Sequence, residues 1–324
     1  MSTYQTFTAL GQREDLSDII ANISPYETPF QANIGKQKVS AKRHEWQTDA
    51  LAAASTSNAK VEGADASIQT SDPTVRLSNI TQIMDKTVSV SGTLEAVDKA
   101  GRKSELAYQI MKRGRELKRD MEAILLYNQA STLGTSTTAS KLGGLPSWLV
   151  TNTDRATDGD DGGYSTSTAL TVAATDTTGS GRTFTETLLK AVMQSCFING
   201  GDPKILMIGP YNKGQFSNAT NFPGIAELRS NLAQSVSKQA TVIGAADVYL
   251  GDFGTLQVVP NRFQAETDAY LLDPEYAAVG TLRPISKYAL SKLGDSERHQ
   301  MLTEITLVVK NEAAHGVISD LTTS

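Results

Sequence analysis

The apolar positions of this chain change their spacing several times, and each change marks an element. Leu16, Ile19, Ile20 and Ile23 recur at i, i+3, i+4 and i+7, the stripe of a short amphipathic helix. The next stretch, SPYETPF at residues 24–30, opens with a helix start. Ser24 suits an N-cap, Pro25 the first helical position, and Glu27 completes a capping box. Pro29 reads as a stop, because its ring disfavours helical geometry at Thr28. The expectation is one helical turn, a rigid corner, and an extended chain through Phe30.

Residues 40–51 put polar and charged groups on both faces of any strand, with Trp46 as their one aromatic anchor. Residues 52–72 are small and polar, without period. Residues 73–92 are rich in β-branched side chains and alternate in part at Val75, Leu77, Val88 and Val90. Together they read as two long strands joined by a loose tip. An isolated hairpin is marginal in water. The two strands are therefore either edge strands of a larger sheet or a ribbon that needs a partner surface.

The longest periodic run is residues 98–130. Leu106, Ile110, Leu117, Met121, Ile124 and Leu125 hold one stripe over many turns. At 1.5 Å per residue such a helix reaches roughly 50 Å, the length of a strut. Its other side carries Lys99, Arg102, Lys103, Lys112, Arg113, Arg115, Lys118 and Arg119, interleaved with Glu105, Glu116, Asp120 and Glu122. Gly114 weakens it locally by about 1 kcal/mol relative to alanine. Residues 131–182 are a Thr-, Ser-, Gly- and Asp-rich excursion with one apolar island at 143–150.

Regular patterning then resumes. Residues 183–201 form a helix that buries Leu188, Leu189, Val192, Met193 and Cys196 and stops at Gly200. Residues 203–209 are a buried strand, and Pro210 opens a short helix to about residue 219. Short apolar strands follow at 241–251, 255–261 and 269–273, with further apolar segments at 287–294 and 304–321. No internal repeat is visible.

Composition narrows the class. The chain has 324 residues, 39% of them hydrophobic and 6% aromatic, and a formal net charge of −5. That charge is unlike the strongly basic domain of a general nucleic-acid binder. No stretch approaches the eighteen apolar residues of a membrane span, and the first fifteen residues lack the pattern of a signal peptide. The single cysteine, Cys196, excludes an intrachain disulfide and fits assembly in a reducing cytoplasm. Few aromatics and long polar stretches point to contacts with neighbouring subunits rather than one large private core.

Groups suited to catalysis are sparse. His44, His299 and His315 are not spaced as a metal site and read as structural or surface residues. Cys196 lies on an apolar helix face and reads as a buried hydrophobe. Residues 209–216, GPYNKGQF, have the glycine spacing of a phosphate loop but lack its Lys and Ser/Thr. Residues 158–163, DGDDGG, hint at a calcium loop, yet Ala169 stands where the closing glutamate belongs. GSGR at 179–182 lacks the third glycine of a dinucleotide fingerprint. No catalytic residue, cofactor or metal is expected. The basic stripe could face phosphates, but its interleaved acids favour a solvated or inter-subunit salt-bridge face.

The order of parts and the local motifs DIIANISPYETPF, GGDPKILMIGP, GDFGTLQVVPNR, YLLDPEY and HGVISDL resemble the major capsid proteins of tailed bacteriophages, the Hong Kong 97-like fold. The resemblance covers nearly the whole chain. It implies an α+β fold divided into an N-terminal arm (1–38), an extended β-hairpin loop (39–96), a spine helix with peripheral domain (97–182), an axial domain (183–285), and a C-terminal strand returning to the peripheral domain (286–324). It implies hexamers and pentamers in an icosahedral shell around double-stranded DNA, assembled in the host cytoplasm and kept in the virion. Decoration, scaffolding and portal proteins are the further partners it implies, without a membrane. One departure is that no long charged scaffolding segment precedes the arm. No Lys–Asn pair can be assigned to inter-subunit cross-linking.

The residues expected at subunit contacts are Ile19, Ile23, Pro25, Pro29, Phe30, Trp46, Lys99, Arg102, Arg113 and Arg119. An encapsulin-type compartment shell shares the implied fold and is the alternative, distinguished by an enzyme cargo. A hydrolase with an unrecognised carboxylate site is the remote third reading.

Overall fold

The structure is a computed structural model that describes residues 27–63, 65–66, 73–99, 101–175, 181–218, 220–223 and 247–323. In chain order the first half contains α1 (Pro29–Asn33), β1 (Gly35–Lys38), β2 (Arg43–Thr48), β3 (Val75–Ile80), β4 (Gln82–Ser91), α2 (Gly92–Ala96), α3 (Glu105–Leu126), β5 (Thr153–Asp154), β6 (Gly163–Ser165) and β7 (Leu170–Val172). The second half contains α4 (Glu186–Ile198), β8 (Ile205–Ile208), α5 (Pro210–Phe216), β9 (Val248–Gly251), β10 (Gly254–Pro260), β11 (Ala269–Leu272), β12 (Ala277–Ala289), β13 (Ser296–Val309) and β14 (Gly316–Ile318).

Two sheets organise the molecule. A four-stranded sheet runs β1-β12-β13-β4, with β1 parallel to β12 and the rest antiparallel. Helix α3 lies along β4 and β13 and buries Leu117, Met121 and Leu125 against Met84, Met301 and Ile305. A six-stranded sheet runs β5-β14-β11-β8-β10-β9. Its central strands are covered on both faces. Met207, Tyr270, Leu272 and Val317 enter the same core as α3, while Leu206, Ile208, Leu271 and Ile318 enter a second core with Phe184, Leu189 and Cys196 of the α4 region. Burial on both faces is why β8 and β11 read as unbroken apolar runs, ILMI and AYLL, rather than alternating ones.

Four expectations change here. Pro29 starts a helix instead of ending one: it is the first residue of α1, where the missing N–H costs nothing and the fixed φ already suits the turn. Residues 24–26, and with them Ser24 and Pro25, lie outside the described residues.

The ribbon is shorter than expected. Among the described residues Arg43–Thr48 pairs with Val75–Ile80 and no further, whereas β4 pairs along its whole length with β13. The alternation of Met84, Val88 and Val90 is that of a strand with one buried face.

The strut is shorter too. Ser104 caps α3, its Oγ accepting from Ala107 N–H at 3.1 Å, and Glu95 at the end of α2 accepts from Glu105 and Leu106 N–H. Gly101 between them turns at φ 75°. The helix has 22 residues, about 33 Å.

Finally, the 285/286 division falls inside the 13-residue strand β12. The last segment also divides between the sheets: β13 joins β4 beside α3, and β14 joins β11 and β5.

Candidate functional site

The described residues place no constellation of chemical groups together; what they place is a set of surfaces and the anchors that hold them. The first anchor is at the root of the N-terminal segment. Helix α1 has no side-chain cap of its own. Its exposed N–H groups are met from α3 instead: Glu122 Oε1 accepts from Phe30 N–H at 2.6 Å, and Oε2 accepts from Gln31 N–H and Gln31 Nε2, each at 3.1 Å. Asn261 Nδ2, just past β10, donates to Oε1 at 2.9 Å. Glu122 and Phe30 are both completely buried. Burial pushes the Glu122 carboxyl above its ordinary value, and the converging N–H donors oppose that shift. One carboxylate thus joins α1, α3 and the end of β10. Phe30 is in the subunit's own core, not on a contact surface.

The second anchor is at the base of the β2–β3 ribbon. Trp46 lies over Trp148 with ring centroids 5.4 Å apart, and Trp148 stacks on Tyr164 at 5.5 Å. Tyr164 Oη and Ser78 Oγ are 3.1 Å apart, and Ser78 Oγ donates to Ala169 O at 3.0 Å. His44 continues the row at 5.8 Å from Trp46, and burial lowers its pKa. Trp46, expected at a subunit contact, is here half-buried against its own chain. Beyond Thr48 the ribbon leaves the body: Leu51 is 99% and Val61 80% exposed.

The charged side of the long helix is mostly satisfied within the subunit. Lys99 donates to Glu95 O and Val97 O, Arg102 bonds Glu105, and Arg113 pairs with Glu116 at 2.6 Å. Arg119 lies over the Phe263 ring, 5.7 Å from its centroid. Ile19, Ile23 and Pro25 lie outside the described residues. Sequence reasoning missed Glu122 because its partners are 91, 92 and 139 residues away. In the sequence it reads as one of the acids interleaved among the cations of the charged side, which gives no sign of burial.

Two further titratable groups, His315 and Cys196, are buried. His315 is wholly buried, accepts from Asp273 N–H at Nδ1, and is pushed down to about 4. Burial pushes the Cys196 thiol up to about 12, which leaves it unreactive. Among the described residues no three His, Cys, Asp or Glu side chains are grouped to hold a metal ion, and no helix is long and apolar enough to cross a membrane.

Comparison with known proteins gives these surfaces a context. Residues 1–322 match the family described as SU10 major capsid protein. The chain belongs to that family. A curated relative, the major capsid protein of Escherichia phage Phieco32, is 29% identical over 340 residues, covering 95% of this chain and 94% of its own length. Among solved structures, the cyanophage A-1(L) capsid asymmetric unit superposes with a TM-score of 0.64 at 12% identity, covering 96% of this chain and 98% of that one. The holo-SrpI encapsulin complex of Synechococcus elongatus superposes with a TM-score of 0.51 at 9% identity, covering 96% and 92%. The mixed helix and sheet fold is therefore that of phage capsid proteins, and the family is one of structural shell subunits rather than an enzyme class.

Proposed function

We propose that this chain is the Hong Kong 97-like subunit of an icosahedral phage head, assembling as hexamers and pentamers around double-stranded DNA. In this reading residues 1–38 are the arm, 39–96 the extended loop and 97–182 the spine helix with peripheral domain. The axial domain starts at 183 and ends where β12 begins to run beside β13, which returns to the spine helix. The observation that carries the reading is the β2–β3 ribbon. It is pinned at its base by Trp46 on Trp148, and its outer apolar residues Leu51 and Val61 are 99% and 80% exposed in the subunit. A two-stranded ribbon with exposed apolar residues is stable only against another surface. In a shell, that surface is a neighbouring subunit. Decoration, scaffolding and portal proteins are further partners of such a shell.

Electron microscopy of the purified protein tests the reading. Capsomers or closed shells are expected. A folded protein that stays strictly monomeric at high concentration would refute it. The likeness to an encapsulin supports a second reading, a compartment shell. Content separates the two: DNA inside the particles for the first, a packaged enzyme for the second.

A further inference from the structure

A cleft of about 350 Å³ lies between α1, α3 and the four-stranded sheet. Met121, Val279, Ile285 and Ile305 form its apolar lining, and Lys36 and Lys118 stand on its rim. Ile285 is 40% exposed on a strand whose inner residues are buried. Both lysines are exposed, and among the described residues neither has an ion-pair partner. The cleft is an apolar slot with a positive edge.

We propose that the N-terminal segment of the same chain fills this cleft, with Leu16, Ile19, Ile20 and Ile23 on its floor. Three observations converge on that occupant. Thr28 forms part of the cleft wall, while Glu27 before it lines a second cleft with Lys213 and Arg262, so the chain that precedes α1 leaves from the ridge between the two. Four residues, five Cα-to-Cα steps, separate Ile23 from Thr28, a reach of up to about 17 Å. The four apolar residues share one helical face, with Asp15 on the flank of that face to meet the lysines. A tethered segment is also present at an effective concentration that a free partner rarely matches. Pro29, fixed by Glu122, sets the direction from which the segment enters. The seat replaces the expectation that the chain departs for a neighbour directly after its corner. It does not depend on the shell reading.

Cysteine coupling on the full chain tests the seat. The double variant Ile20→Cys, Ile285→Cys is oxidised after unlabelled and isotope-labelled subunits are mixed. Cys196, buried with its thiol pushed up to about 12, does not compete. An intrachain peptide linking positions 20 and 285, with both halves of one isotope, is expected. Lys118→Glu should lower its yield several-fold, and adding Asp15→Lys should restore it. Mixed-isotope linkage would assign the cleft to a second copy and overturn the proposal. So would linkage to Arg262→Cys, on the other side of the arm root, in place of position 285. Normal shells without the 20–285 linkage would remove the seat and leave the capsid reading intact.

Discussion

At the scale of single residues, two buried ionisable groups dominate. Glu122 is the sole cap of α1, so Glu122→Ala strands Phe30 N–H, Gln31 N–H and Asn261 Nδ2 without their acceptor. The expected loss is on the order of 3 kcal/mol, read from the urea midpoint of the subunit. Glu122→Gln should lose less, since one acceptor oxygen remains. An unchanged midpoint for the alanine variant would mean that α1 is held by Phe30 alone. His315 gives a pH dependence of known sign. Its folded pKa is near 4 against an ordinary 6.5, so between those values the unfolded chain binds more protons. Stability therefore drops as pH falls through that window, by about 3 kcal/mol in total. The difference between wild type and His315→Gln in a pH series of melts isolates it; parallel curves would contradict the assignment. Neither role was legible beforehand. A glutamate among the charges of a long helix and a histidine near the last strand are visible in the sequence, but their partners are set by tertiary contacts far along the chain.

Among the elements, those with one uniform environment were legible and those with two were not. Helix α4 and strand β8 sit where their periodicity put them, because the residues each buries face packed surroundings throughout. The region 73–92 misled, because β3 belongs to the ribbon and β4 to the sheet, and only β4 alternates in burial. Strands β12 and β13 run 13 and 14 residues although their outer halves are polar, and apolar patterning found only parts of them. Trp46 belongs to this scale, since its contact joins the ribbon to the body. In Trp46→Ala, amides of 43–48 and 75–80 should exchange several-fold faster while those of α3 stay protected. Equal protection across all three segments would show that the strands hold without the stacked ring. The stacked contact lies within the subunit.

For the molecule as a whole, the fold class and the shell reading were visible in the order of parts, but the anchors that make the parts act together were not. The ribbon is where association and folding can be separated. Replacing residues 49–74 with an Asn-Gly turn between Thr48 and Val75 keeps the paired register of β2 and β3. The shortened subunit should melt like wild type and fail to form shells by sedimentation and microscopy. Shells of normal size from it would refute the assembly role of the ribbon. The interleaving of the two sheets has a different consequence, one of timing. Strand β4 waits for β13, β1 for β12, and β5 for β14, the last a gap of more than 150 residues. A nascent chain on the ribosome therefore leaves the four-stranded sheet open until residue 309, and the six-stranded sheet until residue 318, has emerged. Long-range pairing of this kind is slow to close. Synthesis itself thus keeps the body of each unfinished subunit unformed, and only completed chains can join one another.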